Sequence, residues 1–119
     1  MSKEQKVLAQ RVKRGAALLD KKMPKWFTSI DLTMLDMESP NACILGQSGS
    51  YNGDTYWEVG EKLKVIIRHD WVGGETNQSK AITHGFNIEN SGGQKSISKS
   101  YSMLAELWAV EVALRLVRQ

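Results

Sequence analysis

The chain has 119 residues, 41% of them hydrophobic and 24% charged, with a formal net charge of +3 and a single cysteine. This is the size of one domain and the composition of a soluble globular protein, so residues 1–119 are read as a single domain without a linker. One cysteine and two histidines exclude an internal disulfide and a structural zinc site, and no apolar run approaches the ~20 residues needed to cross a bilayer.

The positive charge is uneven. Residues 1–25 hold eight Lys or Arg against Glu4 and Asp20, whereas the rest of the chain is net negative. The N-terminus lacks the continuous apolar stretch of a secretion signal, which places the expectation in the cytoplasm with no membrane association.

Ser2 followed by Gln5 has the spacing of a capping box, in which each side chain satisfies a free amide of the other residue at a helix start. A helix over residues 3–21 follows, with Leu8, Val12, Gly15 and Leu19 on one face. Gly15 within that apolar stripe predicts close approach of another element. Pro24 ends the helix. Residues 26–38 fit neither the helical nor the strand period and are read as short turns. Ser39, Pro40 and Asn41 make a turn, residues 42–45 form a buried apolar segment, and the glycine-rich stretch 46–54 is expected to be a loop.

Residues 55–63 read as one or two helical turns. Leu63, Val65 and Ile67 alternate with Lys62, Lys64 and Arg68 and predict a strand. After a polar loop, Ile82, His84 and Phe86 alternate in a second strand, giving a hairpin over residues 65–88. Residues 89–100 are a flexible connection, and a strongly apolar helix begins near Ser100 or Ser102 and runs to the end. The expected fold is thus α+β: a small single domain with N- and C-terminal helices packed on a short antiparallel hairpin or sheet. The apolar terminal helix also predicts a homo-oligomer, because one small domain has little else to cover it.

The stretches 14–26 (RGAALLDKKMPKW), 30–47 (IDLTMLDMESPNACILGQ), 84–88 (HGFNI) and 101–108 (YSMLAELW) resemble, in that order, a family of small proteins of bacteriophages, chiefly those of actinobacteria, and of related bacterial genomes. The resemblance spans Arg14 to Trp108 with two variable gaps, and residues 48–80 are longer and more polar than the family pattern. It brings no biochemical role. It implies a phage accessory protein acting on host defence or host machinery.

Cys43 lies among Ala42, Ile44 and Leu45, a setting that raises a thiol pKa and disfavours a nucleophile. It is read as a buried structural cysteine. The polar tail that follows supplies Gln47, Ser48, Tyr51 and Asn52, residue types that read a base edge or ribose and stack on it. Arg68, His69 and Trp71 combine a cation for phosphate with a ring for stacking, and His84 and Asn87 would lie beside them across the hairpin. Trp57 is a further stacking candidate. No pair of residues has the spacing of a catalytic couple or of a metal site, so neither catalytic residues, nor cofactor, nor metal is assigned. The expectation is a non-catalytic protein that captures a small nucleotide-like signalling molecule of host immunity. Two alternatives are a protein-binding inhibitor or adaptor acting on a host factor, and nucleic-acid binding through the basic N-terminal helix.

Overall fold

A computed structural model describes residues 2–50, 52–68, 76–89 and 93–119, the side chains of residues 68, 76, 77 and 94 excepted. Its first helix, α1 (Lys3–Lys22), starts as the sequence suggests. The Ser2 amide donates to Gln5 Oε1 at 2.8 Å, and the Gln5 amide donates to Ser2 Oγ at 3.2 Å. Leu8, Val12, Gly15, Ala16 and Leu19 form its buried face. Lys21 and Lys22 occupy the last turn, where positive charge suits the helix dipole.

The second long helix, α5 (Gln94–Arg118), packs along α1. Ser100 Oγ donates to Glu4 Oε1 at 2.7 Å near the start of both helices, and Arg115 Nη2 meets Asp20 Oδ2 at 2.8 Å near the end of both. The two helices therefore run side by side in the same direction. A parallel pair needs a long return between them, and the intervening residues fold into a cap over the shared face. In chain order it comprises a 3₁₀ turn (Trp26–Ser29) and the short helices α2 (Ile44–Ser50), α3 (Tyr56–Lys62) and α4 (Ser79–Thr83).

Trp108 is the centre of the core. It is fully buried, stacks on Phe86 with ring centroids 5.3 Å apart, and meets Trp26 edge-on at 5.7 Å. Its indole N–H donates to the Gly85 carbonyl at 2.6 Å, which gives a buried polar atom the partner it needs. The close approach expected at Gly15 occurs here: a Cβ on that residue would lie 2.0 Å from the His84 carbonyl oxygen and 3.0 Å from the Trp108 ring.

The α+β expectation is overturned. The fold is all-helical, and extended pairing among the described residues is confined to a ladder of two residues a side, with Ile67 opposite Asn77 and Arg68 opposite Thr76. Among the described residues, no larger sheet supports the long helices. The strand expected over residues 81–88 is instead the end of α4 and its cap. The Phe86 amide donates to the Ala81 carbonyl and the Gly85 amide to the Ile82 carbonyl, with Gly85 at φ +75°. This is a Schellman ending, which glycine favours because it has no Cβ to clash in the left-handed region. Alternation of Ile82, His84 and Phe86 thus came from one helical turn followed by a reversal.

Two further expectations change. The stretch 46–54, read as a loop, is helical through Ser50. Its glycines serve packing: a Cβ on Gly46 would strike the Pro40 carbonyl, and one on Gly49 would strike Val59 Cγ2. Residues 94–100, read as flexible connection, are the first two turns of α5, where Ile97 and Tyr101 extend the buried stripe of Leu104 and Trp108 by helical spacing. The terminal helix is also less enclosed than its composition suggests. Leu104, Trp108 and Val112 are buried, whereas Val110, Leu114, Leu116 and Val117 are exposed. Among the described residues, no helix is long and apolar enough to cross a membrane.

Candidate anion-binding cleft

Pro24 cannot continue α1, so the chain leaves the helix at Met23, whose amide still reaches back to the Leu19 carbonyl at 2.7 Å. It then passes through Lys25 in a left-handed conformation, φ 69° and ψ 15°, before entering the 3₁₀ turn. A non-glycine residue in that region costs on the order of 1 kcal/mol. The bend is held by Thr28, whose amide and hydroxyl both donate to the Lys25 carbonyl, at 3.0 and 2.7 Å. Trp26 anchors it from beneath: its indole N–H donates to Asp20 Oδ1 at 2.9 Å, and the Arg115 guanidinium lies 5.5 Å over its ring.

Between this bend and α2 lies a cleft of about 430 Å³. Lys22, Lys25, Thr28 and Ser29 border it on one side, Ser48 and Asn52 on the other, with Met23, Pro24 and Trp26 supplying apolar wall. Two lysines and several neutral donors face a space with no carboxylate among the described residues of its lining, which is the composition of an anion site. Ser48 adds a distinct observation. It is 3% exposed, and its hydroxyl is the one fully buried side-chain polar atom without a hydrogen-bond partner among the described residues. Such a group normally costs about 1–3 kcal/mol and calls for a partner.

Gln47, beside it on α2, is occupied. Its Oε1 accepts from the Asp31 amide at 2.5 Å, and its Nε2 donates to the Ala42 carbonyl at 2.8 Å and to the Asp31 carbonyl at 3.3 Å. That side chain pins the 31–42 segment to α2, so Gln47 holds one wall of the cleft in place.

The other sequence-derived residues lie elsewhere. Asn87 belongs to a second cleft of about 210 Å³, whose lining includes Cys43, Tyr56, Trp57, Gln78 and Tyr101. There Tyr56 and Asn87 both donate to Gln78 Oε1, at 2.8 and 2.7 Å, and Tyr101 donates to Asn87 Oδ1 at 2.8 Å. Burial pushes both phenols above their ordinary pKa, and the Cys43 thiol likewise, so this chain of groups is neutral. Cys43 itself is 2% exposed and accepts from the Gly46 amide at 3.4 Å, as expected of a structural cysteine. His84 Nδ1 sits 2.8 Å from the Lys80 carbonyl of its own helix and borders neither cleft. Tyr51, His69 and Trp71 lie outside the described residues, as does the side chain of Arg68, whose backbone is part of the two-residue ladder.

Ser48 and Asn52 thus share one cleft and Asn87 another. Sequence reasoning assigned phosphate contact to the basic segment 1–25 as a whole without singling out Lys22 or Lys25, and it missed Thr28 and Ser29. The signal was present in KKMPK: a proline just after a basic helix end forces a bend with lysines on both sides of it.

A third cleft, about 490 Å³, lies between α1 and the start of α5, but its charges cancel. Arg11 is paired with Glu89 at 2.8 Å, and Glu4 takes part in the bond from Ser100. No cluster of three His, Cys, Asp or Glu side chains suited to a metal ion occurs among the described residues. No family model, no curated protein and no solved structure matches the chain.

Proposed function

We propose that the protein binds a small phosphate-bearing, nucleotide-like molecule in the cleft between Lys25 and Ser48, and that it acts by holding this ligand. The observation that carries the reading is the unpartnered buried Ser48 hydroxyl on a wall facing two lysines with no acidic residue between. A phosphate supplies what this arrangement lacks: an acceptor for a buried hydroxyl and a countercharge for both ammonium groups. Sequestration needs affinity alone, which suits a cleft lined by lysines, hydroxyls and an amide. The resemblance to small phage proteins, which implies action on host defence or host machinery, is compatible with a signal of host immunity as the ligand.

Isothermal titration of the purified protein with nucleoside mono-, di- and triphosphates, cyclic dinucleotides and inorganic pyrophosphate tests this. At least one phosphate-bearing compound is expected to bind, while its parent nucleoside does not. Lys22→Ala and Lys25→Ala should each weaken binding by about tenfold, and Ser48→Ala by a similar factor. Absence of binding across the panel, or binding unchanged by the lysine substitutions, would remove the proposal.

A further inference from the structure

The cleft that holds Asn87 has a chemistry opposite to that of the basic one. Its described lining contains Glu38 and no Lys, Arg or His, and it brings together the aromatic side chains of Tyr56, Trp57 and Tyr101. The Tyr56 and Trp57 rings stand nearly perpendicular, 86° apart with centroids at 5.0 Å, so two neighbouring π-systems meet at a corner rather than in a stack. Trp57 and Tyr101 are half-buried and Glu38 is exposed. Burial, and after it the negative charge of Glu38, raises the Tyr101 phenol, so the carboxylate is felt within the cleft.

The hydrogen bonds already made decide what this cleft accepts. Both phenol protons are spent within it, Tyr56 on Gln78 Oε1 and Tyr101 on Asn87 Oδ1, each at 2.8 Å. Each amide oxygen also has a second donor: Asn87 Nδ2 reaches Gln78 Oε1 at 2.7 Å, and the Ile88 amide reaches Asn87 Oδ1 at 2.9 Å. An amide oxygen offers two lone pairs, so both oxygens are fully used. A ligand that must donate hydrogen bonds finds these acceptors taken, whereas a cation without N–H groups needs only aromatic surface and a countercharge. At about 210 Å³ the cleft is smaller than the ~300–1,000 Å³ of pockets that enclose drug-sized ligands, which suits a head group rather than a whole nucleotide.

We propose that this cleft binds a trimethylammonium head group, held by cation–π attraction to Tyr56, Trp57 and Tyr101 and by the charge of Glu38. It shares no lining residue with the basic cleft, so the anion reading and this one stand or fall separately. NMR titration of the purified protein tests it. Choline and N-acetyl-trimethyllysine amide present the same head group on a small alcohol and on an amino-acid side chain. At least one is expected to bind with a Kd of about 0.1–10 mM and to shift the Trp57 indole signal, which is identified by its absence from Trp57→Leu; the tighter binder names the source of the head group. Ethanolamine, with its primary ammonium, and the neutral alcohol in which a tert-butyl group replaces trimethylammonium should each bind about tenfold more weakly than choline. Trp57→Leu should weaken binding about tenfold and Glu38→Gln about threefold. Glu38 is exposed, so its variant should melt with the parent and reads the site even if Trp57→Leu is unstable. No shift of the Trp57 signal with either head-group compound, ethanolamine or the neutral alcohol binding as well as choline, or binding unchanged in Glu38→Gln would each overturn the proposal.

Discussion

Gly15 of α1 lies against Trp108 of α5, with the Trp108 ring 3.0 Å from the position a Gly15 Cβ would take and the His84 carbonyl nearer still, at 2.0 Å. Backbone cannot retreat from such a contact without moving a helix. Gly15→Ala is therefore expected to destabilise the protein by about 2–4 kcal/mol, despite alanine's higher helix propensity. Trp108→Phe keeps most of the ring but leaves the Gly85 carbonyl without its donor, and should cost a comparable ~2–4 kcal/mol. Urea unfolding monitored by circular dichroism measures both. A Gly15→Ala protein as stable as the parent would show that the helices do not meet there.

Asp20 links the two helices electrostatically. The hydrogen bonds from Arg115 hold its carboxyl below the ordinary value of 3.8, the Trp26 bond adds to this, and partial burial opposes it. A group whose pKa is depressed by folding stabilises the folded state at pH values above its unfolded pKa, and the contribution disappears as pH falls through the folded value. Asp20→Asn keeps an acceptor for Trp26 but loses the charge. Its melting temperature should lie below that of the parent above about pH 5, by an amount equivalent to less than ~1 kcal/mol because the pair is partly exposed, and the two should converge below about pH 3. A constant gap across that range would mean that the charge contributes nothing.

Lys25 separates folding from binding. Glycine accepts the left-handed backbone that lysine adopts under strain, so Lys25→Gly should raise stability by about 0.5–1 kcal/mol after glycine's own entropic cost. The same change removes one of the two cationic groups at the cleft and should weaken anion binding about tenfold, whereas Lys25→Arg should largely preserve it. Thermal melts and titration on the same samples provide the comparison. If Lys25→Gly binds as well as the parent, the lysine is not a ligand contact.

Much of α1 is legible in the sequence because its determinants are local: a capping box four residues wide, a stripe at helical spacing, and a proline to stop it. The burial of Cys43 and the tight contact at Gly15 follow from the apolar company each keeps. The cap was not legible for equally physical reasons. Gly46 and Gly49 have the composition of a turn, but they are small because Pro40 and Val59 press on them, and that pressure comes from outside the helix. Ile82, His84 and Phe86 alternate as a strand would, yet a single turn ended by a left-handed glycine produces the same alternation. The serine-rich start of α5 hides Ile97 and Tyr101, whose partners are remote in sequence. Of the candidate site, Ser48 and Asn52 were recognisable as polar groups, but the lysines opposite them were not. Charge alone does not say which lysines of a basic segment will face α2. Gln47 shows the reverse, since its amide is spent on Asp31, a partner 16 residues away.

The parallel arrangement of α1 and α5 has a consequence for how the chain acquires its shape. The apolar face of α1 is completed by residues near the other end of the chain, as the Arg115 to Asp20 bond across 95 positions illustrates. During vectorial synthesis that face emerges early and is completed only when Leu104, Trp108 and Val112 have followed. Contacts of such long sequence separation are slow to close and leave nascent chains exposed to misassociation. Fragments that end before α5 should therefore keep part of the α1 face exposed and be bound by the cell's holding chaperones.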